Sequence, residues 1–406
     1  MNEARLVGGP VPRTLFVTND FPPRVGGAQT YYWNMLQTLD PDEVVVVAPS
    51  HPDAAAFDAG HPYTVVRDRR PVLLPTPALE RLCARLIGEH DLDLLQLGHP
   101  LPAGLLGPWL RRTAHVPYVV FLGGAEVTVP GAVPGLARLL RTVLIEAALL
   151  LTVSRYTADQ AGRLTRGLAR AEVLRPALDV DRFDAALALD QGAARAALGL
   201  AGRPLVVCVG RLVSRKGQDM LIDAMAGLTG PFPDARLALV GGGRLAGELR
   251  KRAAAAGIAD RVLLPGEVTG DRLHLWLRAA DVFAGPSRTR LRGLEIEGFG
   301  IVSAEAALSG LPVIVGRSGG APEAVIDGES GFVVDAHGPV ELRAALARLL
   351  AMSAEERRRM GESGRRLALS RHSPEVAAAR YHELLRRAVR WPGPVPLDHV
   401  RELARV

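Results

Sequence analysis

Short apolar runs alternate with amphipathic segments along most of the chain. The runs are continuous instead of alternating with polar residues, which is typical of parallel strands that helices cover on both faces. The runs lie at residues 14–20, 43–50, 92–98, 117–124 and 149–155, and again at 204–211, 235–243, 261–268, 281–287, 312–318 and 331–335. This pattern predicts an α/β protein with two doubly wound, Rossmann-like domains.

The strand pattern pauses once, and the pause predicts the domain boundary. At 406 residues the chain is too long for one ordinary core. We expect a flexible tail at residues 1–12, an N-terminal domain at 13–185 and a C-terminal domain at 186–375. Residues 376–406 contain an amphipathic helix with no strand after it, so we expect that helix to pack back on the N-terminal domain.

Composition and charge argue against a nucleic-acid partner and against a membrane span. The net charge is +6, but the arginines alternate with acidic residues on predicted helix surfaces, which favours solvated faces over a nucleic-acid surface. The most apolar stretch, residues 143–154, is interrupted by Glu146 and is shorter than the ~20 residues of a membrane span. Two cysteines far apart and no secretory signal pattern predict a reduced, cytoplasmic protein.

Two loops at predicted strand ends are candidates for phosphate binding. Gly26 and Gly27 begin a helix after a Pro-Pro turn, where free amides can receive a phosphate oxygen, although a plain tight turn is as common. In GRLVSRKGQD (210–219), Arg211 and Lys216 lie five apart and can reach one polyanion from two directions. A solvated loop is the alternative for this pair, and we favour phosphate binding.

The strongest motif is EIEGFGIVSAEAALSGLPVIV (295–315). Glu297 and Glu305 are separated by seven residues, with Gly298 and Gly300 between them. If a helix begins near Gly300, Glu297 lies in the loop before it and Glu305 lies on the helix. Two ionised carboxylates in a glycine-rich apolar segment are suited to accept hydrogen bonds from sugar diols.

A fourth loop, FLGGAEV (121–127), leaves bare backbone at Gly123, with Glu126 beyond it as a weaker candidate. Asp91 and Asp93 form a D-x-D before a strand, the wrong end for a ligand, so we interpret them as a helix–strand junction. No serine–histidine–acid set and no Cys/His metal spacing occurs in the sequence, and we predict no metal site.

These motifs resemble those of the retaining glycosyltransferases of the GT-B fold, family 4. GRLVSRKGQD and EGFGIVSAE occur in the family's order, and the likeness runs from Thr14 to about His372. The likeness extends to GDP-mannose-dependent phosphatidylinositol mannoside mannosyltransferases in TNDFPPRVGG, in ADVFAGPSRTR and in SGGAPEAV.

The resemblance implies two domains that face a cleft, a GDP-sugar donor, no cofactor and no metal. By that resemblance Arg211 and Lys216 hold the donor diphosphate, Glu297 takes hydroxyls of the transferred sugar and Glu305 takes the ribose hydroxyls. The other implied donor contacts are Gly26, Gly27, Gly123, Gly241, Val268, Gly298, Phe299 and Gly300. Retention is usually ascribed to front-face attack, in which the departing phosphate accepts the acceptor's proton, so stabilising the leaving group is the main catalytic demand.

Gly123 departs from the family pattern, which commonly has a histidine there that contacts the donor sugar near C6. Either the protein is a non-catalytic nucleotide-sugar-binding relative, or Gly123 leaves a vacancy for a sugar extended at C6, such as an octose. The other donor motifs are intact, so we favour the changed donor. His99, at another strand end, is a weak candidate for a replacement imidazole, with a turn histidine as the default interpretation.

The acceptor is predicted from helix 135–148, which places Leu136 and Leu139 at helical spacing with few cations, as is ordinary for a core-facing helix. We therefore expect a soluble small-molecule acceptor, such as a thiol in actinobacterial antibiotic biosynthesis. The alternatives are mannosyl transfer to a phosphatidylinositol-type lipid, with peripheral membrane contact, and a sugar-nucleotide 2-epimerase. The sequence leaves the oligomeric state open.

Overall fold

The structure, a computed structural model, describes residues 10–200, 202–268 and 270–393. The chain divides into two compact units: an N-terminal unit that ends at Ala177 and resumes at Glu375, and a C-terminal unit, Leu178–Pro374. The division at 177/178 precedes the sequence-based boundary at 185/186, because the helix Val180–Leu187 packs on the C-terminal unit through Phe183 and His274. The expected tail, 1–12, lies outside the described residues except for 10–12.

The N-terminal unit is built on a seven-stranded parallel sheet of order β3-β2-β1-β4-β5-β6-β7. Its strands are β1 (Thr14–Val17), β2 (Val44–Pro49), β3 (Thr64–Asp68), β4 (Leu94–Leu97), β5 (Tyr118–Leu122), β6 (Leu149–Thr152) and β7 (Ala171–Val173). The strands β3 and β7 have no counterpart in the sequence pattern; both lie at sheet edges and are partly exposed, so they lack a continuous apolar run.

Helices flank this sheet, and α1 begins at Gly27 as predicted. They are α1 (Gly27–Leu36), α2 (Ala54–Ala59), α3 (Pro77–Glu89), α4 (Leu106–Thr113), α5 (Ala125–Gly131), α6 (Pro134–Ile145) and α7 (Arg155–Thr165). One of the two cysteines, Cys83 on α3, is buried in the core that these helices form with the sheet.

The C-terminal unit contains a six-stranded parallel sheet of order β10-β9-β8-β11-β12-β13. Its strands are β8 (Leu205–Val209), β9 (Arg236–Val240), β10 (Val262–Gly266), β11 (Val282–Gly285), β12 (Val313–Gly316) and β13 (Gly331–Val334). Its helices are α8 (Val180–Leu187), α9 (Gln191–Ala197), α10 (Gln218–Ala226), α11 (Ala246–Ala255), α12 (Asp271–Ala279), α13 (Ile301–Leu308), α14 (Pro339–Ala351) and α15 (Ala354–His372). The second cysteine, Cys208 on β8, is buried in the core of this unit.

The last helix, α16 (Pro374–Val389), returns to the N-terminal unit from Glu375 onward. Its inner face, which includes Tyr381, Leu384 and Leu385, is fully buried. The Tyr381 hydroxyl donates a hydrogen bond of 2.6 Å to Oε1 of Gln96 on β4. The helix thereby becomes part of the core of the N-terminal unit.

Each sheet reverses its winding direction at one point, and the prediction of two doubly wound α/β domains is confirmed. The winding changes between β1 and β4 in the N-terminal unit and between β8 and β11 in the C-terminal unit. Ligands of open parallel sheets bind outside the carboxyl ends of the strands at such switch points. These two positions are therefore where functional side chains are expected.

Helix α6 differs from its interpretation as wholly core-facing. Leu140 and Val143 are fully buried, but Leu136 and Leu139 are 43% and 46% exposed. The preceding residues Val129 and Val133 are also about half exposed. The first residues of the helix are exposed or partly exposed, and its buried residues, Leu140, Val143 and Leu144, lie in its second half. No helix among the described residues has the length and apolarity that crossing a bilayer requires.

Candidate active site

A buried ion pair occupies the switch point of the C-terminal sheet. The Nζ of Lys216 donates a hydrogen bond of 2.6 Å to Oε2 of Glu297, and the side chains are only 15% and 9% exposed. Lys216 follows β8 in a short turn, and Glu297 lies in the loop before α13. The fold thus joins two motifs that lie 81 residues apart in sequence.

Gly217 explains how the loop after β8 approaches the loop after β11. It adopts a left-handed conformation, φ 71°, and a Cβ atom there would lie 2.0 Å from the carbonyl oxygen of Pro286. Only glycine satisfies both conditions. The close approach places Ser287 beside the ion pair, where its hydroxyl donates to Oε2 of Glu297 at 3.0 Å.

The surroundings of Glu297 keep it ionised. Burial opposes ionisation, but the charges of Lys216 and Arg215, with the hydrogen bonds from Lys216 and Ser287, hold the pKa of the carboxyl below its usual range. The backbone N–H of Glu297 donates to Oγ of Ser318 at 3.2 Å, which fixes the loop itself. Glu297 can therefore accept hydrogen bonds from sugar hydroxyls as a carboxylate.

Arg211 lies apart from this pair. Its side chain is exposed, and its carbonyl oxygen accepts a hydrogen bond of 3.1 Å from Nε2 of Gln218, the first residue of α10. The structure thus brings Lys216 to Glu297 and leaves the Arg211 guanidinium toward solvent at the carboxyl edge of β8. Both cations were expected to reach one polyanion; the Lys216 side chain is held by Glu297, whereas that of Arg211 is exposed.

Glu305 differs from Glu297 in the direction in which its surroundings shift its pKa. Glu305 lies on α13, which begins after Gly300 in a left-handed conformation, φ 79°. Burial raises the pKa of Glu305 to about 7, because no cation compensates for it as Lys216 does for Glu297. Near neutral pH the Glu305 carboxyl is therefore protonated more readily than that of Glu297.

The remaining expected donor contacts occupy the same edge of the C-terminal sheet. Gly298 is partly buried, whereas the Phe299 ring is buried against His372 with ring centroids 5.0 Å apart, so its side chain packs the loop. Gly241 follows β9 with φ 142°, and a Cβ there would lie 2.2 Å from the carbonyl oxygen of Gly210. Val268 lies two residues after β10 and is partly buried.

Sequence reasoning missed three polar residues of this site: Arg215, Ser287 and Ser318. Ser287 and Ser318 are the last residues of the predicted strands 281–287 and 312–318, and Arg215 lies in the strand-end loop 210–219, so the strand-end rule could have identified all three. The sequence did not reveal their contacts, because these depend on how the loops fold together.

In the N-terminal unit, Gly26 precedes the first turn of α1 and Gly27 is its first residue. A Cβ atom at Gly26 would lie 2.4 Å from Oε1 of Gln29, so the turn closes tightly on that side chain. The Nε2 of Gln29 in turn donates to Oδ1 of Asp20 at 2.7 Å. Asp20 therefore ties the glycine turn to the end of β1.

The expected vacancy at Gly123 is occupied by Glu126. Its Oε1 accepts a hydrogen bond of 3.2 Å from the Gly123 N–H, and a Cβ atom at Gly123 would lie 2.9 Å from the same oxygen. A side chain at position 123 would begin where this carboxylate lies, which is why glycine is accommodated there. The Glu126 carboxylate therefore lies beside Gly123, and the prediction of a donor extended at C6 stays a prediction.

His99 is an ion-paired residue instead of a simple turn histidine. Its Nε2 lies 2.7 Å from Oδ2 of Asp20, and its Nδ1 lies 3.7 Å from Oε1 of Glu126. Burial alone would lower the pKa of His99, but its interactions with Asp20 and Glu126 raise it to about 9. The imidazole is therefore protonated at neutral pH.

The D-x-D motif lies where the sequence interpretation placed it. Asp91 and Asp93 precede β4 at the amino edge of the sheet, and Oδ2 of Asp93 accepts a hydrogen bond of 3.1 Å from the Arg13 N–H. Within the described ranges, no three His, Cys, Asp or Glu side chains are grouped as a metal site would require.

Two doubly wound units, one with a buried lysine–glutamate pair at its switch point, define the class as a GT-B glycosyltransferase. Sequence profiles agree: "Glycosyltransferase Family 4" matches residues 25–182 and "Glycosyl transferases group 1" matches residues 190–367. The chain belongs to this group 1, family 4 of glycosyltransferases.

Two curated relatives align over nearly the whole chain. A protein of Mycolicibacterium smegmatis, named GDP-mannose-dependent alpha-(1-6)-phosphatidylinositol monomannoside mannosyltransferase, is 40% identical over 91% of this chain and 97% of its own length. A protein of Corynebacterium glutamicum, named for the monoacylated form of that acceptor, is 36% identical over 92% of this chain and 97% of its own.

Among solved structures, Anabaena Alr3699/HepE in complex with UDP is similar in fold. The TM-score is 0.78 at 21% identity, over 92% of this chain and 99% of that one.

Proposed function

We propose that this protein transfers a hexose from a GDP-hexose to a hydroxyl of a glycolipid headgroup, without a metal ion and with retention of the anomeric configuration. The observation that carries the proposal is the 40% identity, over 91% of the chain, to a relative named for GDP-mannose and a phosphatidylinositol mannoside. The ion-paired Lys216 and Glu297 support it, because they supply the charges that donor chemistry needs.

The donor is held by the C-terminal unit in this proposal. Lys216 and Arg211 contact the diphosphate, Glu297 accepts hydrogen bonds from hydroxyls of the hexose, and Glu305 accepts them from the ribose. The exposed Arg211 side chain can move to the diphosphate without breaking an interaction. Gly26 and Gly27 offer amides at the start of α1 to an anionic oxygen of a substrate.

Transfer breaks the bond between the anomeric carbon and the diphosphate oxygen. Negative charge develops on the leaving diphosphate, and the Lys216 ammonium stabilises it in a water-poor site. The acceptor oxygen bonds to the same face of the anomeric carbon, and its proton passes to the departing diphosphate oxygen. Because Lys216 and Arg211 neutralise the leaving group in this proposal, the reaction needs no metal.

The acceptor is assigned to lipids on two observations. Both relatives are named for phosphatidylinositol mannosides. The N-terminal unit also exposes Val129, Val133, Leu136 and Leu139 on α5 and α6, with the exposed Arg138 among them. Apolar side chains beside a cation are suited to contact the surface of an anionic lipid aggregate. A thiol acceptor with an octose donor stays a prediction that the relatives' names do not support.

The test is acceptor-dependent release of GDP from GDP-mannose in the presence of phosphatidylinositol monomannoside vesicles. We expect turnover with that acceptor and none with UDP-glucose or with soluble thiols. Lys216→Ala should lower kcat/KM by about 100-fold or more, whereas Lys251→Ala, the other lysine of the chain and exposed on α11, should leave it unchanged. Equal activity of the two variants would refute the role of Lys216.

Two further measurements address metal and stereochemistry. EDTA should leave the rate unchanged, and NMR of the product should show an α linkage from the α-configured GDP-mannose. Loss of activity with EDTA that Mg²⁺ restores, or a β-linked product, would contradict those parts of the proposal.

A further inference from the structure

A continuous chain of polar contacts connects the two glycine turns of the N-terminal unit. Gln29 donates to Asp20 at 2.7 Å, Asp20 contacts His99 at 2.7 Å, and His99 lies 3.7 Å from Glu126. Glu126 in turn accepts the N–H of Gly123 at 3.2 Å. This series of contacts starts at Gln29 on α1, next to the turn at Gly26–Gly27, and ends at the backbone of Gly123 in the other glycine turn.

The chain lies at the switch point of the N-terminal sheet. Asp20 follows β1 and His99 follows β4, the two strands between which the winding changes. Glu126 is in the first turn of α5, which follows β5. His99 is therefore the central member of the polar group at the position where parallel sheets bind ligands.

We propose that His99 is a positioning residue. As an imidazolium it lies between the carboxylates of Asp20 and Glu126, and it thereby fixes the positions of the turns at Gly26–Gly27 and Gly123–Gly124 relative to each other. The functional part of this inference rests on the proposed function, in which substrates meet these turns. The structural part rests on the contacts of His99 with Asp20 and Glu126 and on their links to Gln29 and Gly123.

The protonated state is favoured because the imidazolium is attracted to both carboxylates: its Nε2 is within hydrogen-bonding distance of Asp20, and its Nδ1 lies at an ion-pair distance of 3.7 Å from Glu126. A neutral imidazole that donates from Nε2 to Asp20 would instead turn the lone pair of Nδ1 towards the Glu126 carboxylate. The charged groups that face His99 are Asp20 and Glu126, and Arg24 acts on Asp20. Tyr32 packs edge-on to the ring at 5.8 Å and stays neutral, since burial raises its pKa well above the usual value.

The raised pKa of His99 gives the direction of the pH effect. The folded state binds the proton more tightly than the unfolded chain, whose histidine has a pKa of 6.5, because His99 titrates at about 9 when folded. The stabilisation is therefore complete below pH 6.5 and is lost as the pH rises through about 9.

These polar contacts explain why position 123 is occupied by glycine. Its φ lies outside the left-handed region, unlike that of Gly124 at 128°, so its backbone does not itself require glycine. A Cβ atom would instead meet the Glu126 carboxylate at 2.9 Å, so a side chain at position 123 has to move the end of that side chain. Alanine at position 123 therefore displaces Glu126 and tests the contact instead of the backbone conformation.

The first test measures the protonation of His99 in the full-length protein by NMR of ¹⁵N-labelled histidine side chains, with His99→Gln to assign the signal. We expect His99 to titrate near pH 9, and to titrate at least one unit lower in Asp20→Asn, in Glu126→Gln and in Gly123→Ala. The matched control is Gly88→Ala on α3, where an added Cβ meets nothing within 4 Å, and there His99 should be unchanged. Titration of His99 near pH 6.5 in the unaltered protein would overturn the proposal.

The second test separates positioning from plain structural support. We expect kcat/KM of the unaltered enzyme to fall between pH 8 and 10, and His99→Gln, folded by circular dichroism, to be up to about 100-fold slower with no titration in that range. Any change of kcat/KM with pH that comes from titration of the nucleotide occurs in both proteins, so His99→Gln serves as the reference for that effect. Parallel profiles for both proteins would overturn the positioning role. If no GDP-sugar turns over, the proposed function fails while the NMR result still decides the state of His99.

Discussion

At the scale of single residues, Glu297 and Glu305 show how position decides the chemistry of one side-chain type. They are separated by seven residues, yet their pKa values shift in opposite directions. Glu297 has Lys216 at 2.6 Å, whereas Glu305 experiences burial alone. The sequence indicated both carboxylates, but their ionisation depends on partners that the fold supplies.

This difference predicts that GDP binding depends on pH through Glu305. The carboxylate form accepts hydrogen bonds from ribose hydroxyls, and it is lost as the pH falls through about 7, so affinity should decrease from pH 8 to pH 6. Calorimetric titration of GDP should show this decrease in the unaltered protein. Glu305→Gln should bind more weakly at pH 8 and lose that part of the pH dependence, whereas Glu267→Gln, an exposed residue of the same unit, should behave like the parent. An identical pH profile in Glu305→Gln would rule out this role.

At the scale of elements, the C-terminal site is carried by loops whose glycines permit close backbone contact. Gly217, Gly241 and Gly319 each adopt positive φ, and each lies against a carbonyl oxygen of another loop. Strand ends could be read from apolar runs, because burial on both faces leaves a continuous pattern. The sequence does not show which loops approach each other, because that depends on contacts between distant parts of the chain.

Gly217→Ala should lower the free energy of unfolding by more than about 1 kcal/mol, because it combines an unfavourable φ with a backbone clash. It should also reduce activity, since the clash displaces the loop that holds Lys216. Chemical denaturation provides the measurement. Gly247→Ala on α11, where an added Cβ meets nothing within 4 Å, should instead stabilise by ~0.5–1 kcal/mol. Equal effects of the two substitutions would refute this explanation.

At the scale of the whole molecule, the N-terminal unit is discontinuous in sequence, because α16 completes its core. Tyr381 is fully buried, and its hydroxyl satisfies Oε1 of Gln96, whose Nε2 donates to Thr14 at 3.0 Å. A polar pair in an apolar sheet is stabilising only while each partner is satisfied.

Tyr381→Phe should therefore destabilise the protein by about 1–3 kcal/mol, because it leaves the buried Gln96 oxygen without this donor. Tyr381→Ala should destabilise it by about 3–5 kcal/mol, because it also leaves a cavity. Thermal and urea unfolding can compare the two variants. A Phe variant as stable as the parent would show that the hydroxyl contributes nothing.

The overall architecture was predictable because apolar runs and their spacing report burial directly. The edge strands β3 and β7 were not, since short, partly exposed strands have no such run. The exposure of Leu136 and Leu139 was also missed, because helical spacing does not reveal where a helix leaves the core. The network around His99 was hidden for a similar reason: its members come from separate parts of the chain, with Asp20 and His99 in loops, Gln29 on α1 and Glu126 on α5.

Both cysteines, Cys83 and Cys208, lie in cores, and burial raises the pKa of each thiol to about 12. Maleimides react with thiolates, so neither position should be labelled at neutral pH while the protein is folded. The two native cysteines should therefore add no label, and no signal, to an experiment on a cysteine introduced elsewhere. A nitroxide or an environment-sensitive dye on a cysteine introduced at Leu139 would report contact with vesicles directly, with no need to remove a native thiol.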